Sequence, residues 1–145
     1  MSGWFETHRA VVHQWQCDHL GHMNVRYYAH IFDDAGFHFW TGIAGAKDIM
    51  DRHGIGVVVA RTTNDFRHEA RAGELVVCKS ALTRLGTKSL TYTQRLTNAE
   101  DDTLLATQDA VEVIFDPAAR KATEMPAELR ALLEGALVSP AGGGE

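Results

Sequence analysis

The segment Gln16 to Tyr28, QCDHLGHMNVRYY, sets one carboxylate, Asp18, in a glycine-containing loop seven residues before Val25, where a long amphipathic helix is expected to begin. A helix start presents backbone N–H groups without intrahelical partners and the positive end of the helix dipole. A carbonyl oxygen that gains negative charge during a reaction is stabilised there. Carboxylate plus oxyanion site is the minimum equipment for cleaving an acyl group. His19 and His22 stand in an HxxH arrangement beside Cys17 and Asp18. Two imidazoles at that spacing can share a metal, but a glycine turn with no second ligand cluster argues against one, and no metal is expected.

The elements that must hold this loop are readable as a strand, a helix and a run of strands. Residues 5 to 15, FETHRAVVHQW, are rich in β-branched and aromatic side chains and predict a first strand whose exit delivers Asp18. From Val25 to about Gly45, Tyr28, Ile31, Phe32, Ala35 and Phe39 recur at helical spacing, with Arg26, His30, Asp33 and Asp34 largely elsewhere on the wheel. Gly42 and Gly45 soften the end of that helix. After a short polar segment, KDIMDRHG, four strands are expected over 56–66, 74–85, 89–97 and 103–116. In the third, Leu90, Tyr92, Gln94 and Leu96 alternate with Thr91, Thr93 and Arg95. The intervening HEARAGE, LGTK and NAEDD suit antiparallel connections. One long helix followed by a meander predicts an α+β domain, a curved antiparallel sheet wrapped around one central helix. MPAELRALLEGAL predicts a short terminal helix; a single domain over 1–135 and a flexible tail over 136–145 follow.

At 145 residues with 45% hydrophobic content the chain can build one real core. A formal charge of −5 gives no general attraction to nucleic acid or anionic lipid. No cationic leader and no apolar run of the ~20 residues that span a bilayer is evident, so a cytoplasmic location is expected. Cys17 and Cys78 are too isolated for a disulfide framework and are expected to stay reduced.

The motif D-x-x-G-H-x-N, with a Tyr four residues after the Asn, occurs as Asp18, Gly21, His22, Asn24 and Tyr28. A second signature, a Gly-Glu pair opening a strand and a Leu-Gly-x-x-Ser turn closing it, occurs as Gly73, Glu74, Leu85, Gly86 and Ser89. Together these resemble the hot-dog-fold acyl-CoA thioesterases of the 4-hydroxybenzoyl-CoA thioesterase type, over roughly residues 5 to 135. The resemblance implies a homodimer whose sheets join edge to edge, often paired again into a tetramer, with an acyl-CoA or acyl-carrier-protein thioester bound at the subunit interface. No cofactor is implied, since coenzyme A is part of the substrate.

By its place in the motif, Asp18 would be the catalytic carboxylate, either as nucleophile on the thioester carbonyl or as general base on water. The backbone N–H of Val25 would receive the oxyanion. Gly21 would let the loop turn tightly, Asn24 would cap the helix or orient the loop, and His22 would order the loop or polarise a neighbour. Without the motif, an Asp before a helix reads as a cap or turn residue. Tyr28 has the spacing of a packing residue whose hydroxyl could reach the pocket. Arg84, Lys88 and Ser89, around the LGTKS turn, stand where related thioesterases contact the nucleotide part of CoA, or are a solvated hairpin. Arg61, Thr62 and Asn64 lie on the strand that in this family lines the partner's site. Arg120 and Lys121 form a further exposed basic pair. Phe32, Phe39, Trp40, Ile43 and Met50 fill the core or line an acyl pocket; helical periodicity looks the same in both cases. Of the other histidines, His13, His30, His38, His53 and His68 read as structural. The rival functions are a hot-dog hydratase or dehydratase and a noncatalytic acyl-CoA-binding protein.

Overall fold

The computed structural model describes residues 3–138. β1 (Phe5–Val11) leads through a 3₁₀ turn (Gln14–Gln16) to α1 (Val25–Gly42) and α2 (Ala46–His53). Then follow β2 (Gly56–Phe66), β3 (Leu75–Leu85), β4 (Ser89–Asn98), β5 (Leu104–Asp116), β6 (Lys121–Ala122) and α3 (Ala127–Ala136). The strands lie in the order β1-β3-β4-β5-β2, all antiparallel, with the two-residue β6 added to β5. This is the curved sheet around a central helix expected from the sequence.

α1 forms because its apolar stripe is real: Tyr28, Ile31, Phe32, Ala35, Gly36, Phe39 and Trp40 are buried. Asn24 caps its start, its side-chain oxygen accepting the Arg26 N–H at 3.1 Å. The core beneath α1 is split. Around the helix start, Val12, Met23, Ile31, Phe32, Val76, Leu96 and Leu105 pack together. Around its end, Phe39, Trp40, Leu82, Leu90, Tyr92 and Ile114 pack with Leu129 and Leu133 of α3. A row of hydrogen-bonded polar side chains crosses every long strand between them, buried from Thr7 to Gln108 and ending on exposed Asn64 of β2. Thr7 meets Ser80 at 2.8 Å, Ser80 donates to Gln94 at 2.9 Å, and Gln94 donates to Gln108 at 3.1 Å and to the Phe32 carbonyl at 2.9 Å. Gln108 then donates to Asn64 at 3.0 Å. Each member has a partner inside the row, so the seam fixes the register of sheet and helix without an orphaned buried group.

Gly36 lets the sheet approach the helix closely. A Cβ at this position would come within 2.6 Å of the Tyr92 hydroxyl. Gly36→Ala should therefore displace a stacked ring and break its hydrogen bond, outweighing the gain in helix propensity. A net loss of about 1–3 kcal/mol is expected, read as a lower midpoint in denaturant.

Three elements differ from the sequence expectation. The first strand ends at Val11 instead of extending to Trp15, because residues 14–16 close a 3₁₀ turn capped by the Gln16 side chain on His13 N–H. The polar segment after α1 is a helix, α2, which buries Ala46, Ile49 and Met50 and is stopped by Gly54 in the left-handed conformation at φ 66°. Residues 136–138, expected to belong to a flexible tail, are held: Leu137 bridges Leu82, and Val138 N–H donates to the Leu82 carbonyl at 2.9 Å. Residues 139–145 lie outside the described residues. No helix among the described residues is long and apolar enough to cross a membrane.

Candidate active site

Residues 16–24 fold back as a small hairpin. Asn24 N–H donates to Gln16 O, Cys17 bridges Met23, and Asp18 N–H donates to His22 O at 2.9 Å. Gly21 makes the return possible, with φ at +83°, a region that costs an L residue about 1–2 kcal/mol. The hairpin is anchored by Met23 N–H on Ala70 O and by pairing of His22 with Arg71. Gly73, at φ +89°, turns the chain beside it, and Glu74 takes up the Arg71 N–H at 2.8 Å. The second sequence signature thus opens β3 against the first.

Asp18 is half-buried. Its Oδ1 accepts the Leu20 N–H at 2.9 Å, closing an Asx turn. That turn fixes the carboxylate and leaves its other oxygen for a ligand. In the hairpin, Asp18 stands two residue steps, roughly 7 Å, from the level of Asn24, the residue before the first helical amide. A carbonyl whose carbon lies about 3 Å from a carboxylate and whose oxygen lies about 3 Å from an amide bridges a gap of that order. Val25 opens α1, so its N–H has no partner within the helix. Its side chain is exposed, as are those of neighbouring Leu20 and Trp15.

Two adjoining cavities form a trough between α1 and β2. The first, of about 430 Å³, is lined by Arg26, Phe32, Asp33, Val59, Thr62 and Gln108 among others. The second, of about 280 Å³, shares Asp33, Val59 and Tyr92 with it and continues past Gly36 to Trp40 and Met50. The trough therefore starts one residue beyond Val25 and follows the helix towards its end.

Thr62 lines this trough, and exposed Arg61 sits beside it on β2 at a bulge. Phe32, Trp40 and Met50 line it too, whereas Phe39 is fully buried in the core. Tyr28 is packed edge-on against Phe66 at 5.2 Å and lines neither cavity. Arg84, Lys88 and Ser89 lie at the far end of β3, ten residue steps or roughly 30 Å from the strand start where the Asp18 hairpin is anchored. One chain does not bring that turn to Asp18. There the turn is closed by Gly86 N–H on Ser89 O and clamped by Arg130 on Gly86 O at 2.7 Å.

Glu112 is a site residue that the sequence reading passed over. It is 4% exposed on β5 and lines the second cavity. Trp40 Nε1–H donates to one of its oxygens at 2.8 Å and the Tyr92 hydroxyl to the other at 2.5 Å. Burial pushes its pKa up, offset in part by those two donors, and burial likewise raises Tyr92. The signal was its place in the alternation Gln108, Ala110, Glu112, Ile114, a carboxylate on the inward face of a strand. The folded state binds the Glu112 proton more tightly than the unfolded chain. This stabilising contribution is complete below the ordinary value of 4.5 and is lost as pH rises through the higher folded value. Glu112→Gln should flatten that part of the stability-against-pH curve, as measured by thermal melts from pH 4 upward.

A comparison with known sequences decides the family: the pattern of the thioesterase-like superfamily matches residues 11–133. The chain belongs to the thioesterase-like superfamily. Among solved structures, the YbaW probable thioesterase of Escherichia coli is similar with a TM-score of 0.78 at 25% identity, over 91% of this chain and 98% of that one. The CoA complex of the Staphylococcus aureus protein SAV2348 aligns with a TM-score of 0.79 at 18% identity, over 97% and 93% of the two chains. Slr0204, a 1,4-dihydroxy-2-naphthoyl-CoA thioesterase from Synechocystis, aligns at 0.74 and 15%, over 90% and 95%. The latter two share the hot-dog fold. No curated protein sequence matches this superfamily member significantly.

Proposed function

We propose that this thioesterase-superfamily protein hydrolyses acyl-CoA thioesters with Asp18 and the Val25 amide. The observation that supports the reading is the hairpin, whose pairing sets half-buried Asp18 two residue steps, roughly 7 Å, from the level of Asn24, the residue before the helix-start N–H of Val25. The thioester oxygen takes the Val25 N–H as it becomes an oxyanion. Asp18 attacks the carbonyl carbon to give a mixed anhydride that water then opens, or it removes the proton from an attacking water. In both routes the CoA sulfur leaves with the bonding electron pair and is protonated to the free thiol. Gly21 and Asn24 position these groups, and His22 links the hairpin to Arg71 through its backbone.

The working unit in this proposal is a dimer built through β2. That strand is a sheet edge of eleven residues, and Val58, Val59 and Phe66 on it, with Phe37 on α1, are exposed. A two-fold axis that pairs β2 antiparallel with its copy turns the partner's sheet end for end. The far end of the partner, which carries its copies of Arg84, Lys88 and Ser89, then moves towards the Asp18 end. Basic groups from one subunit would meet the CoA phosphates while the other subunit cleaves the thioester.

Free-thiol release from a panel of saturated acyl-CoAs, acyl-carrier-protein thioesters and enoyl-CoAs tests the reading. Release from the saturated acyl-CoAs is expected. Hydration of an enoyl-CoA without thiol release points instead to a hydratase, and tight binding without turnover to a sensor.

A further inference from the structure

A carboxyl group lines the trough along α1. Phe37, Trp40, Met50, Ile55, Val57 and Val59 make the walls of its second cavity apolar, yet Glu112 and Tyr92 line it as well. Each Glu112 oxygen takes one hydrogen bond, from Trp40 or from Tyr92, and a carboxylate oxygen has room for a second. An alkyl chain ending there would press a methyl group against a buried carboxyl that still has acceptor capacity.

The place of this group along the helix sets the length of the ligand. The Tyr92 hydroxyl sits against Gly36, eleven residues beyond Val25, which at the helical rise is about 16 Å from the helix start. An extended chain advancing roughly 1.2 Å per bond needs about a dozen bonds to cover that distance. We propose that Glu112 and Tyr92 form a specificity subsite for acyl groups of about a dozen carbons that carry a hydroxyl at or near the chain end. This rests on the acyl-CoA reading above. A hydroxyl suits the pair in either protonation state, since it donates to the ionised carboxylate and accepts from the protonated acid. The Tyr92 oxygen, whose proton goes to Glu112, can accept as well. A short aryl acyl group would stop well before Glu112. The other charged groups lining the cavity are Asp33, Lys47 and Asp51.

Calorimetric titration of the whole protein with two thioether analogues that cannot be hydrolysed, dodecyl-CoA and 12-hydroxydodecyl-CoA, tests the subsite. The hydroxylated analogue should bind the wild type about tenfold more tightly, and Glu112→Gln should shrink that advantage to below about threefold. Equal affinities in the wild type overturn the proposal even if the variant does not fold, as does failure of both analogues to bind. An advantage that persists in folded Glu112→Gln also overturns it. Thiol release from the matching thioesters is read separately. Cleavage without a hydroxyl advantage removes the subsite and keeps the thioesterase. A hydroxyl advantage without cleavage keeps the subsite and removes the hydrolysis.

Discussion

Asp18→Asn is expected to lower kcat for thiol release at least about 100-fold while the protein folds and assembles as before. The basis is the division of labour between the two carboxyl oxygens. Oδ1 closes the turn by accepting the Leu20 N–H at 2.9 Å, and an amide oxygen can do the same. The rest of the hairpin is held by main-chain bonds to the carbonyls of Gln16, His22 and Ala70, none of which depends on the charge. What asparagine cannot supply is a base or an anionic nucleophile. Asp18→Ala is a poorer probe, because it also opens the turn. Near-wild-type turnover in folded Asp18→Asn would reduce Asp18 to a turn residue.

Val25→Pro should cost about 100- to 1000-fold in rate, the usual effect of deleting one oxyanion donor. Main-chain donors are hard to remove without harming the fold, and here the local geometry permits it. Proline is favoured at the first helical position, where its missing N–H breaks no helix bond. It also requires an extended residue before it, and Asn24 has φ −71° and ψ 147°. The Asn24 side chain caps through Arg26 N–H, not Val25 N–H, so the cap survives the change. The Val25 side chain is exposed, which keeps the loss of its methyl groups a minor matter.

Periodicity carried most of the fold. Tyr28, Ile31, Phe32, Ala35 and Phe39 are all buried on one face of α1, and the alternation from Leu90 to Leu96 buries the residues expected. α2 escaped because one buried turn, Ala46, Ile49 and Met50, is too short to register against its charged neighbours. The hairpin was legible as a glycine-containing loop with a carboxylate, since Gly21 does what only glycine does cheaply. Two facts about the site were not. The first is distance: nothing local in the sequence says that the turn at Arg84 to Ser89 lies at the opposite end of the sheet from Asp18, because antiparallel order sets which ends meet. The second is environment. Trp40 and Glu112 are 72 residues apart in sequence, and only the fold brings them together at 2.8 Å and makes a strand carboxylate part of a cavity lining. Exposed Val58 and Val59 are a related case, since apolar residues on a strand read as core until the strand proves to be an edge.

The central claim is that a main-chain amide at the start of α1 and the Asp18 carboxylate act on the same thioester. Its most direct measurement is kcat/KM for thiol release by Val25→Ala and Val25→Pro side by side, with folding checked by circular dichroism. The account predicts that the alanine variant stays within about threefold of wild type while the proline variant falls about 100-fold or more. Equal activities for two folded variants would contradict it, because the amide at position 25 would then have no part in the reaction.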